Sequence, residues 1–302
     1  MRFEALSVIP EVFGPYLDAS IMGRARRAGV FEFVAHDLRD WAHDRHRTVD
    51  DAPFGGGQGM LMKCAPIFEA VEDLQARGDD RAHVVLFAPW GATFDQRAAE
   101  RLSHERRILF VCGRYEGMDE RCTELADECI SVGDYVLTGG ELAALAVTDA
   151  VVRLLPGALG DEMSAVDESF SDGLLEYAQY TRPSDYHGRV VPPVLLSGDH
   201  GAVDAWRRRS SVERTARWRP DLIARAQLTD EERAWADAVM RDAGGREDRG
   251  DRDDGGGRGD HGDAFGAGVD HGGVDRADVG RMYVDETDAG DTDAPDGKEE
   301  GK

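Results

Sequence analysis

The chain has 302 residues, a net charge of −24 and four cysteines without C-x-x-C spacing. No apolar run approaches the length of a membrane span, the amino terminus lacks a signal-peptide pattern, and free buried thiols are the plain interpretation of the cysteines. Composition therefore argues against a membrane protein, a secreted disulfide scaffold and a structural zinc site, and we expect a reducing, cytoplasmic setting.

Charge is distributed unevenly along the chain. Residues 244–302 hold 18 acidic and 8 basic side chains and are rich in Gly and Asp, which predicts a disordered tail. Residues 205–226, by contrast, hold seven arginines against Glu213 and Asp221. Because a local basic patch binds phosphates even on an acidic protein, the net charge does not exclude a nucleic-acid partner.

Short apolar runs alternate with helical patterns over the first half of the chain. The predicted strands are Phe3–Ile9, Val30–Leu38, His83–Ala88, Ile108–Cys112 and Glu128–Val132, and the predicted helices are Pro10–Arg27, Pro66–Ala76, Asp95–Leu102, Asp119–Asp127 and Gly140–Leu155. This alternation predicts an α/β fold with a parallel sheet. Between them, residues 43–60 form a polar, glycine-rich loop whose length favours a functional role.

The second half of the chain is irregular at first and then helical. Predicted helices are Val203–Arg209, Val212–Arg217, Pro220–Ala226 and Thr229–Asp242, and the last begins with a Thr229/Glu232 capping box. We therefore divide the chain into four parts: a sheet domain (1–160), an interdomain linker (161–190), a small all-helical domain (191–243) and the acidic tail (244–302).

Two predicted strands end at glycines that belong to long motifs, Cys112–Glu120 and Val132–Glu141. In open α/β sheets, ligands bind at the carboxyl ends of the strands, and a glycine there lets the backbone approach a ligand closely. The usual nucleotide fingerprints are absent: there is no G-x-x-x-x-G-K-[ST], and Phe54–Met60 lacks the third glycine of G-x-G-x-x-G. The sequence therefore predicts a small-molecule pocket lined largely by main chain.

These two motifs resemble those of the bacterial tRNA (guanine-N1)-methyltransferases, a family of the trefoil-knotted (SPOUT) methyltransferase superfamily. The resemblance covers about residues 1–240 and includes the motifs His43–Asp51, Phe54–Leu61, Tyr180–Pro183 and Pro192–Gly198. It implies a knotted parallel-sheet domain followed by a small helical domain, a homodimer, and transfer of a methyl group from S-adenosylmethionine to N1 of guanosine-37 in tRNA.

The resemblance also assigns binding residues. It implies that the S-adenosylmethionine pocket is formed by Pro89, Gly91, Gly113, Tyr115, Glu116, Val132, Gly133, Asp134, Tyr135, Val136, Leu137, Gly139 and Gly140. Tryptophans and arginines are interleaved on the predicted C-terminal helices, as in proteins that contact phosphates and bases. The arginines expected to bind RNA are Arg207, Arg208, Arg214 and Arg217.

Guanine N1 carries a proton at neutral pH, so its methylation needs a general base and a positive charge near O6. The resemblance places these roles at Glu168 and Arg153. The family usually has Glu-Asp-Ser-Phe where this chain has Asp-Glu-Ser-Phe, so the acid pair is exchanged and Asp167 is the alternative base.

Several alternatives remain open. His43–Asp51 contains metal-donor side chains, but we prefer a structural loop or an RNA contact and assign no metal ligands, while the resemblance allows a hydrated Mg²⁺ near the reacting carboxylates. The Phe54–Gly59 loop is either a mobile cover for the cofactor or a plain loop. The rival functions are another knotted RNA methyltransferase, acting on ribose 2′-O or a different base, and an S-adenosylmethionine-binding protein without catalysis.

Overall fold

The computed structural model describes residues 1–78, 80–159 and 168–247, with side chains as far as residue 242. All of these residues fall within one compact unit, Met1–Asp251. Its centre is a five-stranded sheet whose strands lie in the order Glu32–Asp37, Arg2–Ser7, Arg107–Val111, His83–Thr93 and Glu128–Ser131, and every pairing in that sheet is parallel. The α/β class and the parallel sheet predicted from sequence are therefore confirmed.

The bounds of the regular elements are as follows. The strands are β1 (Arg2–Ser7), β2 (Glu32–Asp37), β3 (Asp50–Asp51), β4 (Leu61–Met62), β5 (His83–Thr93), β6 (Arg107–Val111), β7 (Glu128–Ser131), β8 (Asp185–Tyr186) and β9 (Arg189–Val190). The helices are α1 (Phe13–Leu17), α2 (Ser20–Arg27), α3 (Cys64–Arg77), α4 (Gln96–Leu102), α5 (Glu141–Val152), α6 (His200–Trp218), α7 (Pro220–Ile223) and α8 (Asp230–Glu247).

Both faces of the sheet are covered, which explains why the central strand β6 is buried along its whole length. Successive side chains of a strand point to opposite faces. Ile108 and Phe110 accordingly pack into one hydrophobic cluster with α1, α2, α4 and α5, whereas Leu109 and Val111 pack into a second cluster with α3. A third cluster joins Leu174 to α6, α7 and α8.

Four predicted helices differ in number or type from the observed elements. The predicted helix Pro10–Arg27 is interrupted because Ala19 is extended and Ser20 has a positive φ of 44°. The predicted helix Asp119–Asp127 is a 3₁₀ helix, Glu120–Leu125. Two predicted helices at 203–217 form the single helix α6, because no Gly or Pro interrupts residues 202–218.

The strand β5 is longer than predicted and contains a bulge. Phe87 and Ala92 both pair with Ile130 of β7, so residues 88–91 leave the ladder and the strand then resumes its pairing at Thr93. Proline and glycine occur in this excursion, and both residues are typical of bulges and edges rather than of regular central strands. Among the described residues, no helix combines the length and the apolar character needed to cross a membrane.

Candidate active site

A cavity of about 210 Å³ lies beside the bulge of β5, where the neighbouring strands β6 and β7 end. These strands are neighbours and parallel, so their carboxyl ends meet at one edge of the sheet. The loops after β6 and β7 line the cavity together with the β5 bulge and the first turn of α5, and we call it the main-chain cavity. Its lining includes most of the predicted cofactor residues: Pro89, Gly113, Tyr115, Glu116, Val132, Gly133, Tyr135, Val136, Leu137, Gly139 and Gly140.

Two predicted cofactor residues, Gly91 and Asp134, do not line this cavity. At Gly91 a Cβ atom would lie 2.7 Å from the backbone carbon of Cys129 and from that of Ile130. The absence of a side chain there therefore allows the β5 bulge to pack closely on β7. Gly91 thus affects the cavity wall indirectly, because it sets how closely the β5 bulge packs on β7.

Gly140 explains how the loop after β7 closes over the loop after β6. Its N–H donates to the carbonyl of Gly113 at 3.0 Å, and a Cβ atom at this position would lie 2.9 Å from the Cα of Cys112. Any larger residue would push the two loops apart. The cavity is thus bounded by two backbone segments in direct contact.

The segment Gly59–Met62 packs against the loop after β6. The N–H of Glu116 donates to the carbonyl of Met60 at 3.0 Å, and the N–H of Met62 donates to the carbonyl of Gly117 at 2.9 Å. Gly59 has φ +75°, and a Cβ there would meet the Glu116 side chain. The predicted cover, residues 54–59, is therefore joined to the cavity rim through residues 59–62.

A second cavity, of about 470 Å³, contains the predicted catalytic pair. Arg153 donates through Nη2 to Oε1 of Glu168, and both side chains are about one-third exposed, at 37% each. Tyr16, Gln96 and Asp149 also line this cavity, which we call the Arg153 cavity. The main-chain cavity and the Arg153 cavity share no lining residue. The alternative base, Asp167, lies outside the described residues.

Comparison with known proteins decides the family. The profile of the family described as tRNA (Guanine-1)-methyltransferase TrmD matches residues 1–225. A protein of Syntrophotalea carbinolica named tRNA (guanine-N(1)-)-methyltransferase is 49% identical over 243 residues, which cover 80% of this chain and 98% of that protein. The chain belongs to the tRNA (guanine-1)-methyltransferase family.

Two further relatives of the same name support this membership. The Heliobacterium modesticaldum protein is 49% identical over 249 residues, covering 81% of this chain and 92% of its own, and the Persephonella marina protein is 45% identical over 242 residues, covering 80% and 95%. The resemblance found in the sequence motifs is thereby confirmed, and the family is one of methyltransferases.

Sequence patterns missed a buried polar cluster beside the main-chain cavity. Glu141, the first residue of α5, is 2% exposed and accepts a 2.6 Å hydrogen bond from the Ser7 hydroxyl. Its other oxygen lies 3.3 Å from Nε of Arg114, and Arg114 lines the cavity. A carboxylate in the first turn of a helix is also favoured by the helix dipole. Ser7 and Glu141 are far apart in sequence, so no local pattern could have revealed the cluster.

A second missed contact lies in the Arg153 cavity. The Tyr16 hydroxyl donates to Oδ2 of Asp149, one turn before Arg153 on α5. This hydrogen bond, aided by burial, raises the pKa of Tyr16 to about 12. The phenol therefore stays protonated over the whole neutral range and keeps donating to Asp149.

The four predicted RNA-binding arginines lie on α6 but differ in their contacts. The guanidinium of Arg208 already has two acidic partners within the protein, because it donates to Glu232 and to Asp172, each at 2.6 Å. Arg207 lies over the Tyr177 ring at 4.9 Å. The remaining two, Arg214 and Arg217, are exposed and have no acidic partner among the described residues.

The His43–Asp51 loop shows structural contacts of its own. Asp44 accepts hydrogen bonds from the N–H groups of His46 and Thr48, at 2.8 and 2.9 Å, and these bonds lower the pKa of its carboxyl. His43 lies 2.8 Å from Glu69. Within residues 1–78, 80–159 and 168–242, no group of three His, Cys, Asp or Glu side chains is arranged to hold a metal ion.

Proposed function

We propose that this chain transfers a methyl group from S-adenosylmethionine to N1 of guanosine-37 in tRNA, next to the anticodon. One observation carries the proposal: the main-chain cavity beside the β5 bulge and at the ends of β6 and β7, in a chain of the tRNA (guanine-1)-methyltransferase family. When bound, S-adenosylmethionine supplies an electrophilic methyl group carried by a sulfonium.

The lining of the main-chain cavity fits this cofactor. The main-chain groups of Val136 and Leu137, which make no backbone hydrogen bond among the described residues, offer N–H and C=O partners to the edge of an adenine, and the Ile130 and Leu137 side chains offer apolar surface to its flat faces. The carboxylate of Glu116, also in the lining, favours a positively charged sulfonium. The tight Gly140–Gly113 contact keeps this wall free of side chains that would fill the space.

The acid–base chemistry is assigned to the residues of the Arg153 cavity. Glu168 accepts the proton that leaves guanine N1, which frees the nitrogen lone pair for bond formation. Arg153 donates to O6, where negative charge develops as N1 loses its proton. The ion pair between the two side chains keeps the Arg153 guanidinium beside the Glu168 carboxylate before the guanine of the RNA binds. Asp167 is the alternative base.

The separation of the two cavities supports a homodimer. Helix α5 contributes Ala143 to the main-chain cavity and Ala146, Asp149 and Ala150 to the Arg153 cavity, so one chain presents the two cavities at different places along the helix. A second copy that brings its Arg153 cavity to the first copy's main-chain cavity would complete the site. The proposal also includes the trefoil knot, a separate helical tRNA-binding domain at residues 191–243 and a cytoplasmic location; a hydrated Mg²⁺ near the carboxylates is an optional part.

Methylation with labelled S-adenosylmethionine tests the proposal. The substrates are an unmodified tRNA transcript with guanosine at position 37 and its adenosine-37 variant, and the product is mapped by mass spectrometry of the nucleosides. We expect 1-methylguanosine from the first transcript and no methylation of the second. A 2′-O-methyl product would indicate the other class of knotted enzyme, and cofactor binding without any product would indicate a binding protein.

A further inference from the structure

The Arg153 cavity holds one acid that the proposed chemistry leaves without a role. Asp149 lies on α5, one turn before Arg153, and lines the cavity together with Arg153 and Glu168. Four residues advance a helix by about 6 Å and return to the same side, so Asp149 and Arg153 are neighbours on one face of α5. Their separation is on the scale of the hydrogen-bonding edge of a single purine.

The Asp149 carboxylate is held by the protein through one of its two oxygens. The Tyr16 hydroxyl donates to Oδ2, whereas Oδ1 accepts from no group of the described residues. The hydrogen bond to Asp149, and burial after it, raise the pKa of Tyr16 to about 12, so the phenol keeps its proton and keeps donating at neutral pH. The half-buried carboxylate thus retains one oxygen for a donor in the cavity.

The other polar side chains of the cavity leave a simple pattern of donors and acceptors. The Tyr16 proton is committed to Asp149, and the Gln96 amide can turn either its oxygen or its nitrogen towards a ligand, so it selects for neither. A guanidinium can only donate, and an ionised carboxylate can only accept. Within the described lining, the fixed pattern is therefore one donor, Arg153, and two acceptors, Glu168 and Asp149.

This pattern matches the Watson–Crick edge of guanine. Guanine presents one acceptor there, O6, and two donors, N1–H and the exocyclic N2 amine. Adenine has its amine where guanine has O6, and only a C–H at position 2. Proteins that act on an unstacked base read it by hydrogen bonds to this edge. Because the proposed roles of Arg153 and Glu168 account for O6 and N1, only the N2 amine has no assigned partner.

We infer that Asp149 determines specificity for guanine by accepting a hydrogen bond from the N2 amine, and that Tyr16 is a positioning residue that holds the Asp149 carboxylate. This inference rests on the proposed function, since it takes the methylated base to be a guanine whose O6 and N1 face Arg153 and Glu168. A carboxylate beside the purine opposes the negative charge that develops on it. The Tyr16 hydroxyl reduces that opposition, because it stabilises part of the carboxylate charge on Oδ2.

Single-turnover methylation of two transcripts tests the inference. One carries guanosine at position 37, and the other carries inosine, which keeps O6 and N1–H but lacks the N2 amine. The parent is expected to methylate the guanosine transcript about 10- to 100-fold more efficiently, the effect of losing a hydrogen bond to a charged group. Asp149→Ala should lose about this factor on guanosine and much less on inosine, so that the preference largely disappears.

Two milder variants separate the hydrogen bond from the shape of the site. Asp149→Asn keeps the size of the side chain and should still reduce the preference, because a neutral amide oxygen is a weaker acceptor than a carboxylate. Tyr16→Phe removes only the donor to Oδ2 and should reduce the preference by less than Asp149→Ala does. Circular dichroism and S-adenosylmethionine binding show whether each variant is folded.

Asp73→Ala is the matched control. Asp73 also accepts from an aromatic side chain, Trp41 at 2.9 Å, and from the arginine four residues later, Arg77 at 3.0 Å. It lies on α3, which packs against the other face of the sheet from α5. Its removal should leave the preference for guanosine over inosine at the parent's value.

A purely structural role of Asp149, acting through Arg153, would slow both transcripts equally, because inosine keeps the atoms assigned to Arg153 and Glu168. Equal losses in Asp149→Ala, or a parent that does not prefer guanosine, would overturn the inference. Formation of 1-methylguanosine by the parent is scored separately. If it forms while Asp149→Ala keeps the parent's preference, the specificity role fails and the proposed function stands. If the parent methylates neither transcript, the proposed function itself fails.

Discussion

Ser7, at the end of the first strand, donates a 2.6 Å hydrogen bond to the buried carboxylate of Glu141, at the start of α5. The same hydroxyl accepts from the N–H of Ile9 at 3.0 Å, and Glu141 also pairs with Arg114. The Glu141 carboxylate thus joins the end of β1, the start of α5 and the loop after β6 that lines the main-chain cavity. Buried charge that is paired in this way becomes costly when a partner is removed.

Replacing the hydroxyl, Ser7→Ala, is expected to destabilise the chain by about 1.5–3 kcal/mol, since it removes a buried hydrogen bond to a charged group. Ser103→Ala is the matched control, because the Ser103 hydroxyl bonds only to the exposed carbonyl of Glu100. Its effect should stay below about 0.5 kcal/mol. Urea unfolding followed by circular dichroism measures both. Equal losses in the two variants would contradict the importance assigned to the Glu141 cluster.

Gly140→Ala is expected to abolish or strongly weaken S-adenosylmethionine binding. The added Cβ would lie 2.9 Å from the Cα of Cys112, so the two loops that bound the main-chain cavity must separate, at a cost of about 1–3 kcal/mol. Gly14→Ala, where an added Cβ meets nothing within 4 Å, is the control. Isothermal titration calorimetry with the cofactor compares them. Parent-like affinity in Gly140→Ala would show that this contact does not shape the cofactor site.

Because the order of the two acids Asp167 and Glu168 is reversed relative to the family, kinetics can identify which of them is the base. Glu168→Gln should slow single-turnover methylation by about 10²–10⁴-fold, the usual contribution of a general base, and leave tRNA binding nearly unchanged. Arg153→Ala should slow it by about 10²–10³-fold through loss of charge stabilisation at O6. Asp167→Asn is the discriminating variant. If it loses the activity and Glu168→Gln keeps it, the base is Asp167.

The loss of folding stability at low pH should depend on Glu4. Burial alone would raise the pKa of this carboxyl, but hydrogen bonds from His36 and Arg107 outweigh it and lower the pKa from 4.5 to about 2. A depressed folded-state pKa stabilises the chain at pH values above 4.5, and this stabilisation is lost as the pH falls from about 4.5 towards 2. The unfolding free energy of the parent should therefore decline across this interval.

The variant Glu4→Gln tests whether protonation of Glu4 causes this decline, because a glutamine side chain does not take up a proton in this pH range. Its unfolding free energy should be lower than the parent's at pH 7 and should change less between pH 4.5 and pH 2. Glu32→Gln, which alters an exposed carboxylate on the neighbouring strand, is the control and should keep the parent's pH dependence. An equally steep decline in Glu4→Gln would assign the acid sensitivity to other groups.

Local patterns were sufficient for much of the fold and for the position of the main-chain cavity. Runs such as Ile108–Cys112 are apolar because both faces of the sheet are covered, so the strand is visible in the sequence itself. The motif glycines mark where backbones approach closely, and the structure brings most of them to one cavity. These features depend on neighbours in the chain, which is why the sequence reveals them.

Features that depend on distant neighbours escaped prediction. Ser7 and Glu141 are 134 positions apart, and Tyr16 and Asp149 are 133 apart, so neither pair has a local signature. The break at Ala19 and Ser20 is decided by packing of α1 and α2 on the sheet rather than by helix propensity. Likewise, the sequence could not show that Arg208 is held in ion pairs while Arg214 and Arg217 on the same helix have no acidic partner among the described residues.

The bulge in β5 sets how much variation the cavity wall tolerates. Since the ladder with β7 holds at Phe87 and again at Ala92 and Thr93, residues 88–91 are anchored at both ends. Substitutions at the exposed Trp90 should be absorbed without disturbing the strand. Losing or gaining one residue between those anchors would instead shift the register and turn Ala92 and Thr93 to the wrong side of the sheet. In this part of the chain, length is therefore constrained more tightly than residue identity.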